Sequence, residues 1–183
     1  ELAPLQVQIH GKMPGGPRVN LASASEHVPE IERRIRVVKE RVRAARLGLP
    51  FTRVPKTLMI HIVLSVVKML THFPTKQSIA GYSPRMLLTG SSLDYKKNLR
   101  LTIGAYCQVH EEDAPRNSQK PRTQGAICMG PSGNEQGGYY FLSLKSGKRV
   151  TRRNWDEIPM SQLVIDRVNQ LGAGQPTELV FTD

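Results

Sequence analysis

The sequence predicts an α+β fold, a helical first half joined to a small β-domain. Three observations carry this expectation. Between residues 29 and 46 apolar residues recur with a helical period, and a second apolar helical segment follows at 56–72. After about residue 99 the texture becomes short β-rich runs separated by turn residues. The 183 residues, 39% hydrophobic and 22% charged, lie near globular averages and are enough to bury a core.

Residues 5–9 and 19–21 read as two strand stubs around a Pro/Gly loop at 12–17, edge elements of a sheet whose other strands would lie upstream. A helix is expected over 29–46. Ile31, Ile35, Val38 and Val42 form one apolar stripe at offsets 0, +4, +7 and +11. Pro29 suits the first helical position, Glu30 and Glu32 favour the positive end of the helix dipole, and Gly48 and Pro50 end it. A second helix, 56–72, is apolar on nearly every side and is expected to be the most buried element. Ser83 and Pro84 open a short helix that stops at Gly90.

Strands are expected at 101–109, 125–129, 139–144 and 149–155, with turns at 131–134 and 145–148. Four or five short strands in that span suggest a small barrel of SH3-like size. Residues 111–123 read as a loop, and 172 onward as a linker. The expected domains are therefore 1–98, 99–171 and a tail, 172–183.

Charge points to a polyanionic partner. There are 26 Lys and Arg against 15 Asp and Glu, a formal net charge of +11, with an isoelectric point near 10.1. Such a field attracts nucleic acid first and an anionic membrane second. The longest apolar stretch, 57–67, ends at Lys68 and already contains His61, whereas a spanning helix needs about 20 apolar residues. No membrane role is expected. Cys107 and Cys128 form no CxxC pair, which argues against a disulfide scaffold or a cysteine zinc site and for an intracellular chain. The chain opens on Glu1 without Met, which suggests a piece of a longer reading frame.

On the first helix Glu32, Arg36, Lys39 and Arg43 also fall at 0, +4, +7 and +11, a charged stripe beside the apolar one. A carboxylate followed by cations can hold a divalent ion and track a phosphate backbone. The same spacing is an ordinary surface ion-pair pattern. Between Glu30 and Lys56 nine basic residues face three acidic ones, +6 of the total +11. A second cluster, Lys145, Lys148, Arg149, Arg152 and Arg153, contains no acid. Two basic concentrations, one helical and one on a β-ribbon, favour nucleic-acid binding. Elsewhere His27 reads as a loop residue, His61 and His72 as structural, and 111–113 as a solvated acidic turn. No glycine-rich phosphate loop is present.

Residues 26–41 (EHVPEIERRIRVVKER) resemble the final catalytic helix of a copia-type retrotransposon integrase. Residues 83–90 (SPRMLLTG), 94–97 (DYKK) and 104–112 (GAYCQVHEE) are similar to the region after that core. Residues 125–131, 137–142 and 148–155 look like the small β-domain that follows it in the polyprotein. The resemblance covers 19–183 and implies the C-terminal helical part of a ribonuclease-H-like core, then an SH3-like barrel. It implies chemistry by two magnesium ions held on two Asp and one Glu, with Glu32 as that Glu and Arg36 and Lys39 as its basic neighbours. It further implies DNA, the rest of the polyprotein and other integrase copies as partners, in a nucleus or virus-like particle.

One departure is decisive. No Asp precedes Asp94, so the chain alone is expected to be inactive. The expected function is DNA binding by part of an integrase, through Arg36, Lys39, Arg43, Lys148, Arg149, Arg152 and Arg153. The alternative is a non-catalytic basic binding or structural module derived from such an element. Two Asp codons in strand contexts upstream of Glu1 would favour the first.

Overall fold

The computed structural model describes residues 28–76, 78–111, 119, 121–134 and 136–174. The strand stubs at 5–9 and 19–21, His27, the acidic residues 112–113 and the tail beyond 174 lie outside them. The chain divides into two units, Glu1–Val37 and Val38–Asp183. In the first, the described residues are the start of helix α1 (Pro29–Leu47), where the Glu32 N–H donates to the Val28 carbonyl at 3.1 Å. Ile31 and Ile35 are exposed there. The helix ends where the sequence says it should, with Gly48 N–H closing on the Ala44 carbonyl at 3.1 Å.

In the second unit, helix α2 spans Lys56–His72, opened by the Met59 N–H bond to the Pro55 carbonyl. Helix α3, Pro84–Thr89, is capped by Ser83 Oγ, which accepts from Met86 N–H at 3.2 Å, and ends at Gly90. Helix α4, Tyr95–Asn98, is capped by the Asp94 carboxylate. Five antiparallel strands follow: β1 (Tyr106–His110), β2 (Thr123–Pro131), β3 (Tyr139–Ser143), β4 (Arg149–Arg152) and β5 (Trp155–Glu157). Their order is β4-β3-β2-β1-β5. Helix α5, Gln162–Ala173, closes the described chain. The fold is mixed α+β, with five α-helices and an open five-stranded antiparallel sheet among the described residues.

The order of strands dictates a curl. β4 and β5 occupy opposite edges, yet only Arg153 and Asn154 separate them in sequence. Three Cα steps reach at most about 11 Å. Four flat inter-strand spacings would need about 19 Å. The sheet must therefore bend until its edges approach, and Arg152 Nε reaches across to the His110 carbonyl at 2.9 Å. The turn at 153–154 also explains why the expected strand 149–155 is two strands. The expected strand 101–109 begins late, at Tyr106, because the chain turns at Ile103-Gly104, closed by Ala105 N–H on the Thr102 carbonyl.

Side-chain alternation gives the sheet two buried faces. Cys107, Val109, Ala126, Cys128, Tyr139 and Phe141 fill the inside of the curl, with Val150 and Trp155 against them. Ile127, Met129 and Leu142 point the other way and meet Phe51, Leu58, Ile62, Val164 and Val168 from the helical segments. This second core joins residues from both sides of position 98. In β2 a bulge sets Cys128 opposite Phe141 and Gly130 opposite Tyr140. Gly130 holds φ at 102°, a conformation a side chain would strain.

One expectation is corrected. α2 is not the most buried element: only Leu58, His61, Ile62 and His72 are buried, while Ile60, Val63, Leu64 and Val67 are 37% to 48% exposed. A helix apolar all round buries only the face that meets the sheet, and here β2 and β3 take the deeper position.

Helix α5, unforeseen in the sequence reading, docks through close backbone contact. Arg53 N–H donates to Asn169 Oδ1 at 3.0 Å, and a Cβ at Gly172 would stand 2.6 Å from the Arg53 carbonyl oxygen. Gly172→Ala is therefore expected to cost about 1–3 kcal/mol of stability in chemical denaturation. Gly174→Ala, whose Cβ would meet nothing nearer than 3.9 Å, serves as the control and should change it by less than about 0.5 kcal/mol.

Candidate nucleic-acid interface

Helix α1 is continuous, so the spacing 0, +4, +7 and +11 sets Glu32, Arg36, Lys39 and Arg43 on one line. All four are exposed. At 100° per residue they lie within an arc of about 60°. Arg46 continues the line but is tied into the fold, its Nη2 donating to the Thr52 carbonyl at 3.2 Å.

The second basic cluster is less uniform than its sequence suggests. Successive residues of a strand face opposite ways. Arg149 and Arg152, three apart on β4, therefore point to different sides of the sheet. Arg149 lies over the Tyr140 ring, 4.8 Å from its centroid. Arg152 bonds the carbonyls of His110 and Thr151 and braces β4 to β1. Lys145 and Lys148 in the turn, and Arg153 in the link to β5, are exposed. The cations presented to a partner are thus Lys148, Arg149 and Arg153 before Arg152.

Among the described residues no group of three or more His, Cys, Asp and Glu side chains comes together to hold a metal ion. Glu32 is one exposed carboxylate in the first turn of a helix. Divalent cations of this kind need several oxygen ligands. The described residues do not fit a two-magnesium centre.

The cysteines take no part in such chemistry. Cys107 and Cys128 are buried and free, and burial pushes both thiols up to about 12, with the Glu157 carboxylate adding to the effect at each. A thiol must ionise to act as a nucleophile. Neither is expected to react with an aromatic disulfide reagent at pH 8 in the folded chain, and both should react at once in denaturant.

The histidines read as structural do line a cavity. A pocket of about 200 Å³ lies between α2 and strands β2, β3 and β4, walled by His61, Ser65, Lys68 and His72 on the helix and by Tyr140 and Arg149 on the sheet. His61 meets the Tyr140 ring edge-on, centroids 5.3 Å apart. The four helix residues fall at 0, +4, +7 and +11, a polar stripe along a mostly apolar helix. That spacing was a legible signal. Reading each histidine singly hid it.

No helix among the described residues is long and apolar enough to cross a membrane. No family model matches the chain, and no curated protein and no solved structure matches it.

Proposed function

We propose that this chain binds duplex DNA through its phosphates, with little preference for sequence, as the end of a copia-type integrase core and the β-domain that follows it. The observation that carries the reading is the exposed stripe Arg36, Lys39 and Arg43 on a continuous helix. Exposed Lys148 and Arg153 supply a second set of cations. Phosphate contacts give affinity without reading bases, and the charge of +11 gathers the polyanion from a distance.

Ancestry belongs to the same proposal. The order of the resembling segments and the curled five-stranded sheet suit an SH3-like barrel behind a ribonuclease-H-like core. By the resemblance, Glu32 would correspond to the metal-binding Glu of that family. The other carboxylates of such a site would come from the rest of the polyprotein, and the partners are element and target DNA and further integrase copies.

The test is direct. Two labelled duplexes of unrelated sequence are titrated with the chain across a salt series. With roughly five phosphates neutralised, log K should fall with log salt at a slope of about −4 to −5 for both. Affinities differing more than about tenfold between the duplexes, or a slope near zero, would refute the proposal.

A further inference from the structure

The pocket between α2 and strands β2–β4 contains hydrogen-bond donors and cations without any carboxylate. Its lining includes Lys68, Arg149, His61, His72, Ser65 and Tyr140, and neither Asp nor Glu. Lys68 is exposed at the rim, and Arg149 is held in place by the Tyr140 ring. His72 is only 6% exposed, and its Nδ1 is buried with no hydrogen-bond partner. A buried polar atom left unpaired costs about 1–3 kcal/mol, so the wall of the pocket at His72 holds a polar group that the chain itself leaves unsatisfied. The Nε of Arg85, on α3, is buried and unpaired as well. We propose that this pocket binds a phosphate group, held by the Lys68 ammonium, the Arg149 guanidinium and the imidazoles of His61 and His72.

Size and charge agree with that ligand. A volume of about 200 Å³ holds a phosphate and several waters, each water occupying about 30 Å³ in the liquid. Arginine pairs with two phosphate oxygens at once, and lysine adds a point charge. The source is either a phosphodiester of a nucleic-acid strand or free phosphate, since both present the same oxygens. The site does not rest on the DNA-binding reading, because free phosphate alone would occupy it.

Protons are linked to binding. Burial first, then Arg149 and Lys68, hold the His61 pKa below its ordinary value, while a hydrogen bond to the Met129 backbone pulls the other way. Burial first, then Arg85 and Lys68, lower that of His72. The groups facing the two rings are therefore Lys68 from α2, Arg85 from α3, the Met129 backbone from β2, Tyr140 from β3 and Arg149 from β4. With the pocket empty both rings are neutral near pH 7. An anion offsets the cations and favours the protonated rings, so both pKa values rise on binding and protons are taken up. Affinity should increase as the pH falls from 7 into the window between the empty and occupied pKa values.

The experiment follows the imidazole ¹⁵N resonances of His61 and His72 in the full chain. Inorganic phosphate, then dimethyl phosphate, is titrated in at an ionic strength fixed with sodium chloride. His110, whose Nε2 lies 3.4 Å from Asp156 Oδ2 at the surface, is the internal control. Expected are saturable shifts of His61 and His72 together, a rise in both pKa values, and an affinity about tenfold weaker in Lys68→Gln, an exposed change that leaves the fold intact.

Saturation by both compounds assigns the site to phosphodiesters, and saturation by inorganic phosphate alone assigns it to free phosphate. Shifts no larger than those of His110, or an unchanged affinity in both Lys68→Gln and Arg149→Gln, would overturn the site. Duplex titration on the same sample separates the two proposals. Phosphate binding without DNA binding removes only the DNA reading, and DNA binding with unmoved imidazoles removes only the pocket.

Discussion

Phe141→Ala should lower the unfolding free energy by about 3–5 kcal/mol. Phe141 is fully buried on the interior strand β3, with Cys128 of β2 and Val150 of β4 as its neighbours in register. Its ring packs against Trp155, centroids 5.7 Å apart, and against Tyr139 at 6.5 Å. Truncation loses the transfer free energy of the ring and leaves a cavity that the paired strands on both sides cannot close. Phe141→Leu keeps most of the volume and should cost less than about 1.5 kcal/mol. Trp155 is the single tryptophan and lies against this core, so urea titration followed by its fluorescence reads the change without added probes. Equal midpoints for wild type and Phe141→Ala would mean that the curled sheet is not the stable centre of this unit.

How much of this was legible in the sequence depends on whether a feature is local. The bounds of α1 and α2 could be read closely because period, Pro29, Pro55 and Gly48 act within one or two turns. Ser83, Pro84 and Gly90 gave α3 for the same reason. Burial is different, since it depends on what a face meets. The apolar residues of α2 announced a buried helix, but Ile60, Val63, Leu64 and Val67 meet no sheet. Helix α5 was missed although Val164, Val168 and Leu171 share a face and Ser161 precedes it, because three apolar positions in a short segment are a weak pattern.

The candidate site divides in the same way. The stripe on α1 is a property of one helix, so its geometry followed from spacing alone. The β-ribbon did not, because a strand sends Arg149 and Arg152 to opposite sides and the curl gives Arg152 a carbonyl on β1. Nor could the pocket between α2 and the sheet be read in full. Its helix stripe was present in the sequence, but Tyr140 and Arg149 reach it only through the pairing of β3 with β4.

The second large effect concerns the DNA. Each phosphate neutralised by a cation releases counterions and contributes about 0.9 to the salt slope. Arg36 and Lys39 are exposed on α1, and replacing both should remove about two such contacts while leaving the apolar stripe untouched. At about 0.1 M salt that corresponds to a loss of roughly 10- to 100-fold in affinity. Because phosphate contacts carry no base information, the loss should be the same on every duplex.

One measurement bears most directly on DNA binding by this chain: the salt dependence of duplex affinity for the wild type beside the variant carrying Arg36→Ala and Lys39→Ala. Wild type is expected at a slope of about −4 to −5 and the variant flatter by about 2, with both insensitive to sequence. An unchanged slope and full affinity in the variant would contradict the account. The stripe on α1 would then be only a solvated face.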